Sequence, residues 1–351
     1  MERDSKIDIA KGLGEILVCI GHSKFSSYFE VKFIYQFHMP LFFILSGMLI
    51  NIEKYSVLNF IKKKMETILF PYYSISLFSL FNSINYDKNF NYKKYFLQTL
   101  KGRQEGKSYW FIHCLFISQC LTFIFLKFIS FFSKNNKNFK NLLVFFLIFL
   151  SNYYGYYFAS FKHTYYRINL TLLIISYILA GYLIKLNRFF FDYYFFNIFF
   201  SPFYIYYFYK NVNKNIFVSY NLSLVGNIYY SNLLSYLGIF FIFSLSNFIK
   251  SNSILEYFGK NSLYVYFLNV ENKNYFDNLT LFFGDFIPKN INSYFRHLIL
   301  LGINILLILI KIAIFIQIFQ NYFPWFLNFS YFYKFKLKNL LNNKNKNKVL
   351  N

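Results

Sequence analysis

The chain has 351 residues, of which 56% are apolar and 26% aromatic, and only 15% are charged. A soluble domain carries about 25% charged residues, so this composition excludes an ordinary soluble protein, a disordered chain and a coiled coil. The formal net charge of +23 comes mainly from lysine. We attribute it to biased composition and to basic loops beside a membrane, and we expect no nucleic acid as a partner.

Apolar stretches of about 17 to 25 residues recur along the chain, long enough to cross the hydrocarbon core of a bilayer as helices. They predict an all-α fold, a polytopic transmembrane helical bundle of about ten helices. The predicted spans are 7–22, 33–51, 67–86, 109–132, 141–160, 168–186, 189–209, 228–250, 256–271 and 297–320.

Orientation follows from the basic residues, which are retained on the cytoplasmic side in short loops. With the N-terminus inside, the basic cluster 62–64 and the Lys-rich end of the chain both lie inside, which predicts two cytoplasmic termini. We divide the chain into a membrane domain, residues 1–330, and a basic cytoplasmic tail, residues 331–351. The longest predicted outer loops are 85–108 and 272–296.

The first span carries four ionisable residues that share one face at about 100° per residue. They are Asp8, Lys11, Glu15 and His22. Ionisable groups in a span are costly and face the bundle interior or a water-filled cavity, so this face predicts a functional lining. The alternative is that Asp8 and Lys11 lie at the interface and that His22 caps the outer end of the helix.

The second span contains Pro40, which has no amide proton and leaves the carbonyl near Gln36 without its helical partner. We expect the helix to open beside His38, so that His22 and His38 meet in one cavity. The alternative is that His38 only hydrogen-bonds a backbone carbonyl. His113 either lines the same cavity or packs beside an aromatic anchor at the membrane interface.

Residues 256–266 predict a loop that leads into a helix, with Asn261 or Ser262 as the N-cap. The side chains of Ser262, Tyr266 and Asn269 share one face of that helix. Its positive end would favour an anionic group. The alternative is a simple capped helix start.

Several strings of residues carry a resemblance to a known family. They are Ile7-Asp8-Ile9-Ala10-Lys11-Gly12 with Gly21-His22, Phe37-His38-Met39-Pro40-Leu41-Phe42-Phe43 with Ser46-Gly47, Tyr109-Trp110-Phe111, and Gly259-Lys260-Asn261-Ser262-Leu263-Tyr264. The chain resembles the acyltransferase-3 family of integral membrane acyltransferases, and it looks closest to the fucose 4-O-acetylase-like branch. Residues of about 187–225 match this pattern poorly.

The resemblance implies transfer of an acyl group, usually acetyl from acetyl-CoA, to a hydroxyl of a carbohydrate or other cell-envelope molecule. The residues assigned on this basis are His22 and His38 as catalytic groups, and Asp8, Lys11, Trp110, Lys260, Asn261 and Ser262 as contacts of acyl-CoA. Lys11 stands where many members carry Arg, which keeps the charge but loses the fork geometry. Asn269 stands where members often carry His, and we give it no proton-transfer role.

The spacing of the first helix fits this chemistry. Lys11 and His22 are eleven residues apart, about 16 Å along a helix, so a cation lies towards cytosolic CoA and a neutral base towards the envelope glycans. We expect a protein of the cell membrane, with membrane lipid and a carbohydrate or lipid-linked glycan acceptor as partners. The cysteines show no ligand spacing, so no metal is predicted. The sequence does not predict the oligomeric state.

Two other classes remain open at this point. An exporter of a lipid-linked sugar or small solute would also carry ionisable residues on a broken helix, but it predicts an inverted repeat of hydropathy, and we detect none. A scaffold or regulatory subunit that has lost activity is the third class, which the Asn at position 269 favours slightly.

Overall fold

The computed structural model describes residues 4–86, 91–100, 110–133, 136–161, 165–192, 194–212, 218–220, 225–269, 273–288 and 291–324. This part of the chain is built from α-helices. In chain order they are α1 Ser5–His22, α2 Tyr28–Tyr35, α3 His38–Met48, α4 Val57–Lys64, α5 Phe70–Tyr86, α6 Tyr92–Leu100, α7 Trp110–Phe132, α8 Lys137–Ala159, α9 Thr171–Leu186, α10 Phe189–Asp192, α11 Tyr194–Val212, α12 Ile228–Ile249, α13 Ser253–Lys260, α14 Ser262–Asn269, α15 Lys273–Gly284 and α16 Ser293–Tyr322. A π-helical turn, Met65–Leu69, joins α4 to α5, and a 3₁₀ turn, Tyr165–Leu170, leads into α9.

Five of these helices are long and apolar enough to cross a membrane. They are α7, α8, α9 with the end of its 3₁₀ turn, α12 and α16. Large aromatic side chains lie exposed on them, as at Phe145 and Phe149 of α8, both 64% exposed. Such a surface is stable against lipid and unstable against water. The predicted all-α membrane bundle is therefore confirmed, and the protein is a multi-pass membrane protein.

The centre of the bundle is formed by helices that approach one another closely. Helix α9 is the most buried of the five long helices, and it packs against α3, α7 and α8. At its crossing with α3, a side chain at Gly181 would overlap the backbone of Ile44, and one at Gly47 would overlap the backbone of Ile178. The reciprocal glycines let the two backbones touch, as small residues do between membrane helices.

The second predicted span is broken where Pro40 predicts it. Helix α2 ends at Tyr35 and α3 begins at His38. The carbonyl of Gln36 accepts a hydrogen bond from the Ser235 hydroxyl of α12 at 2.7 Å. The break thus exposes a backbone acceptor, and a side chain of a neighbouring helix satisfies it.

The prediction of one continuous span over 256–271 is wrong, and so is the loop predicted at the start of 256–266, whereas the helix start predicted at Asn261 or Ser262 is confirmed. Residues 253–260 are already helical in α13, because the Asn252 side chain caps the first turn and accepts from the Leu255 amide at 3.0 Å. The chain breaks at Asn261, and α14 follows as a second helix of eight residues. Helix α13 packs along α1, where Gly259 abuts the Asp8 backbone and Gly12 abuts the Leu255 backbone.

The predicted outer loops contain helices α6 and α15. Helix α6 packs on α5, and α15 packs on α16. The predicted tail, residues 331–351, lies outside the described residues, so the division into a membrane domain and a tail stays a prediction.

Candidate functional site

A cavity of about 200 Å³ lies inside the bundle, between α1, α3, the π-helical turn, α7 and α14. Its ionisable and amide- or hydroxyl-bearing lining includes Lys11, Glu15, Lys64, Gln119, Ser262 and Tyr266. These residues come from parts of the sequence up to about 250 positions apart. The cavity is therefore a tertiary feature that no single span contains.

The basic groups of the cavity come from two helices. Lys11 and Glu15 are one turn apart on α1, so they share a face and interact electrostatically. Lys64 is the last residue of α4, directly before the π-helical turn, and it interacts electrostatically with Lys11. With two lysines and one glutamate, the cavity carries an excess of positive charge. Such a lining suits an anionic ligand.

The two predicted catalytic histidines lie near one tyrosine. His22 is exposed at the end of α1, and the Tyr35 ring is close to both histidines, with its centroid 6.1 Å from that of His22 and 4.9 Å from that of His38. The Tyr35 hydroxyl donates to the carbonyl of Gly21 at 3.2 Å, which fixes the ring against the end of α1.

His38 is buried, and its Nδ1 lies 3.0 Å from the carbonyl oxygen of Ile34. A carbonyl can only accept, so Nδ1 carries the proton and Nε2 carries the basic lone pair. The backbone contact that the sequence left as an alternative is thus present. This contact uses Nδ1 and leaves the Nε2 lone pair out of the bond, so it is compatible with the catalytic role of His38, which stays a prediction.

The structure brings some predicted residues together and keeps others apart. Lys11 and Ser262 line the cavity, whereas His22 and His38 are not part of its lining. Asp8 is buried where α1 crosses α13, outside the lining. The first helix therefore carries two separate groups of side chains, a charged one around Lys11 and an imidazole one around His22, and their functional roles stay predictions.

The other predicted acyl-CoA contacts lie around the cavity or away from it. Trp110 is buried and stacks on Tyr220 with centroids 6.4 Å apart, and only its neighbour Phe111 lines the cavity. Lys260 is exposed and pairs with Glu256 at 3.0 Å.

The side-chain amide of Asn261 stabilises the break between α13 and α14 through two hydrogen bonds. Its Nδ2 donates to the Tyr257 carbonyl at 2.9 Å, and its Oδ1 accepts from Gln320 at 2.9 Å. Its backbone carbonyl accepts from the Tyr264 and Val265 amides in the first turn of α14. Ser262 follows at the start of α14, and that end of the helix opens to the cavity.

At the start of α1, an ion cluster joins the helix to α10. Arg188 pairs with Asp4, the N-cap of α1, and with Asp192, which also binds Lys6 at 3.3 Å. Partial burial raises the pKa of Asp192, but the hydrogen bond from Arg188 and the charges of Arg188 and Lys6 together hold it below its ordinary value. The cluster positions the end of α1 that precedes Lys11.

Comparison with known proteins identifies the family. The acyltransferase-3 family model, described as an acyltransferase domain, matches residues 4–316. The chain belongs to this family. No curated protein and no solved structure matches the acyltransferase. Membership supports membrane acyltransferase activity, and the matched residues include every helix that lines the cavity.

Sequence reasoning missed two residues of the acyltransferase's cavity. In the sequence, Lys64 indicates only the orientation of the chain, and Gln119 lies within the predicted apolar span 109–132 without a predicted role. A polar amide in the middle of such a span is itself a signal, because it is costly there unless it has a partner. Among the described residues, no group of three His, Cys, Asp or Glu side chains has a geometry that could hold a metal ion.

Proposed function

We propose that this acyltransferase moves an acetyl group from acetyl-CoA to a hydroxyl of a cell-envelope carbohydrate, and is thus an O-acyltransferase. The observation that carries the proposal is the basic cavity in the bundle of an acyltransferase-3 protein, with Lys11 and Lys64 on its wall. Family membership favours this function over the export of a lipid-linked sugar.

The basic wall supports an anionic acyl donor. CoA carries several phosphate charges, and an electrostatic attraction inside a protein is screened far less than at an exposed surface. Lys11 would contact the donor from α1 and Lys64 from α4. Lysine serves as a point charge for phosphate, so no bidentate geometry is needed at position 11.

The imidazole centre supports the chemical step. In the proposed reaction, His22 takes the proton of the acceptor hydroxyl as its oxygen attacks the carbonyl carbon of the thioester. The carbon–sulfur bond then breaks, and the thiolate leaves and takes the proton back from the imidazolium, giving CoA and the acetyl ester. His38, with its Nδ1 fixed by Ile34, would orient the acceptor through Nε2 or replace His22 as the base.

The separation of the two centres sets the path of the donor. The phosphates would stay near Lys11, and the flexible pantetheine arm would carry the thioester along α1 towards His22. CoA is cytosolic and envelope glycans are external, so we propose that the enzyme lies in the cell membrane with both termini cytoplasmic. A carbohydrate or a lipid-linked glycan would reach His22 from the outer side.

The direct test compares surface glycans from cells that have the gene with those from cells that lack it. We expect a mass difference of one acetyl group, restored by the wild-type gene and not by His22→Ala. Purified protein should also move radiolabelled acetyl from acetyl-CoA to the isolated glycan. A protein that binds neither acetyl-CoA nor glycan would refute the proposal.

A further inference from the structure

Two buried oxygen atoms on the cavity wall have no hydrogen-bond donor among the described residues. One is Oε2 of Glu15 on α1, and the other is Oε1 of Gln119 on α7. Their residues are only 2% and 3% exposed. Buried polar atoms of native proteins are nearly always satisfied, so two such atoms on residues that line one cavity indicate a ligand that supplies donors.

Two hydroxyl groups on the same wall, by contrast, have hydrogen-bond acceptors in the backbone. Ser46 donates to the Phe43 carbonyl at 2.8 Å, and Thr67 donates to the Lys63 carbonyl at 2.9 Å. Each hydroxyl is satisfied by its own helix. Glu15 and Gln119 are too long to bond their own backbones in this way, and their oxygen atoms are left for the cavity.

The size and remaining lining define the shape of the ligand. A volume of about 200 Å³ is below the roughly 300–1,000 Å³ of a site for a drug-sized molecule. Apolar side chains cover much of the wall, among them Met39, Phe42 and Leu115. The cavity therefore suits a slender, largely apolar chain that carries N–H donors.

We propose that Glu15 and Gln119 form an acceptor pair that binds the amide N–H groups of the pantetheine arm of the acyl donor. The arm is a slender chain with two secondary amides, and the phosphates that follow it would lie towards Lys11 and Lys64. This inference rests on the proposed function. It adds two specificity residues that hold the arm while the thioester extends towards His22.

A simpler role for Glu15 is to neutralise the charge of Lys11. That role needs a negative charge, whereas an acceptor pair needs only an oxygen atom that accepts. Gln119 has no charge and is not explained by neutralisation. Glu15→Gln therefore separates the two roles, because it removes the charge and keeps an acceptor.

The experiment measures steady-state transfer by the purified full-length protein with two donors, acetyl-CoA and S-acetyl ethanethiol, a thioester without amides. Glu15→Met and Gln119→Met keep the side-chain length and remove the acceptor. We expect each to raise the KM for acetyl-CoA by about ten- to hundredfold with kcat nearly unchanged, as for loss of a hydrogen bond made equally in ground and transition states. Neither should change the rate with S-acetyl ethanethiol.

Ser118→Ala is the matched control. Ser118 precedes Gln119 on α7 and is fully buried, but its hydroxyl donates to the Thr171 carbonyl at 3.4 Å and it does not line the cavity. Its KM for acetyl-CoA should stay within about twofold of the wild-type value, a change too small for a lost ligand contact. Glu15→Gln should behave like the wild type.

The inference is overturned if the two Met variants match Ser118→Ala, if they damage the reaction of both donors equally, or if Glu15→Gln is as harmful as Glu15→Met. Calorimetric titration with CoA separates this failure from that of the proposed function. If both Met variants bind CoA as tightly as the wild-type protein does, the acceptor pair alone is refuted. Wild-type protein that neither binds CoA nor transfers acetyl refutes both proposals.

Discussion

Gly259→Ala is expected to disturb the crossing of α13 with α1, and with it the cavity. The added methyl carbon would lie 2.7 Å from the carbonyl carbon of Asp8 and closer still to its oxygen. Non-bonded carbon atoms pack best at about 3.5–4.0 Å, so the two helices must separate by at least ~0.8 Å. The obstacle is backbone, and no rotamer change can relieve it.

The expected cost follows from that displacement. Overpacking of a tight contact destabilises a protein by about 1–3 kcal/mol. Ser262 lies three residues beyond position 259 and Lys11 three residues beyond Asp8, so the cavity wall should move as well. A misplacement of about 1 Å near a reacting group can lower the rate by about 10².

The assay combines thermal unfolding of the detergent-purified protein with initial rates of acetyl transfer. The rates are measured well below the unfolding midpoints of the wild-type protein and the variant. Gly302→Ala is the control, because a methyl group at that position of α16 meets no atom within 4 Å. We expect Gly302→Ala to keep both stability and rate. If Gly259→Ala unfolds and reacts like Gly302→Ala, the close crossing of α1 and α13 does not hold the site.

Three further predictions concern single side chains. His22→Ala should lower transfer by about 10²–10⁴ without changing CoA affinity, and His22→Asn should not restore it; an active His22→Asn protein would refute the base assignment. The control is His297 of α16, whose Nε2 lies 3.3 Å from the Glu30 carboxylate and to which the proposed reaction gives no role, so His297→Ala should have little effect on transfer. Lys11→Met should raise the KM for acetyl-CoA and Lys11→Arg should be mild, and equal damage from both, without misfolding, would indicate a structural role. The depressed pKa of Asp192 stabilises the fold at pH values above the ordinary 3.8 of its carboxyl, and this contribution is lost as the pH falls through the lower folded value. Asp192→Asn should thus cost up to about 1 kcal/mol at pH 7, since solvent screens the partly exposed pair with Arg188, and nothing in strong acid; thermal unfolding at both pH values checks this, and an equal loss at both would contradict it.

The parts of the fold that local sequence determines were predictable. Pro40 breaks the second span because a missing amide proton acts within one turn, and the structure confirms the break beside His38. The five long apolar helices, α7, α8, α9, α12 and α16, follow from length and hydropathy alone. The charged face of α1 was also predictable from local sequence, because Lys11 and Glu15 are one helical turn apart.

The parts that depend on distant residues were not predictable. A hydropathy window joined residues 256–271 into one span, because it cannot register the Asn252 cap or the contact of Gly259 with α1. Gln119 and Lys64 became site residues only when tertiary packing placed them beside Lys11. The exposure of His22 and the proximity of Tyr35 to both histidines depend on tertiary packing as well.

The break at Asn261 has a consequence for how the protein is made. Helices α13 and α14 have eight residues each, so each is about 12 Å long against a hydrocarbon core of about 30 Å. Neither half can partition into a bilayer by its own hydrophobicity. They must enter after α1 is in place, through the close contact that Gly12 of α1 and Gly259 of α13 allow, so the wall that α14 gives to the cavity is completed only in a late step of biogenesis. The nascent enzyme thus remains inactive until its C-terminal half has been synthesised and packed.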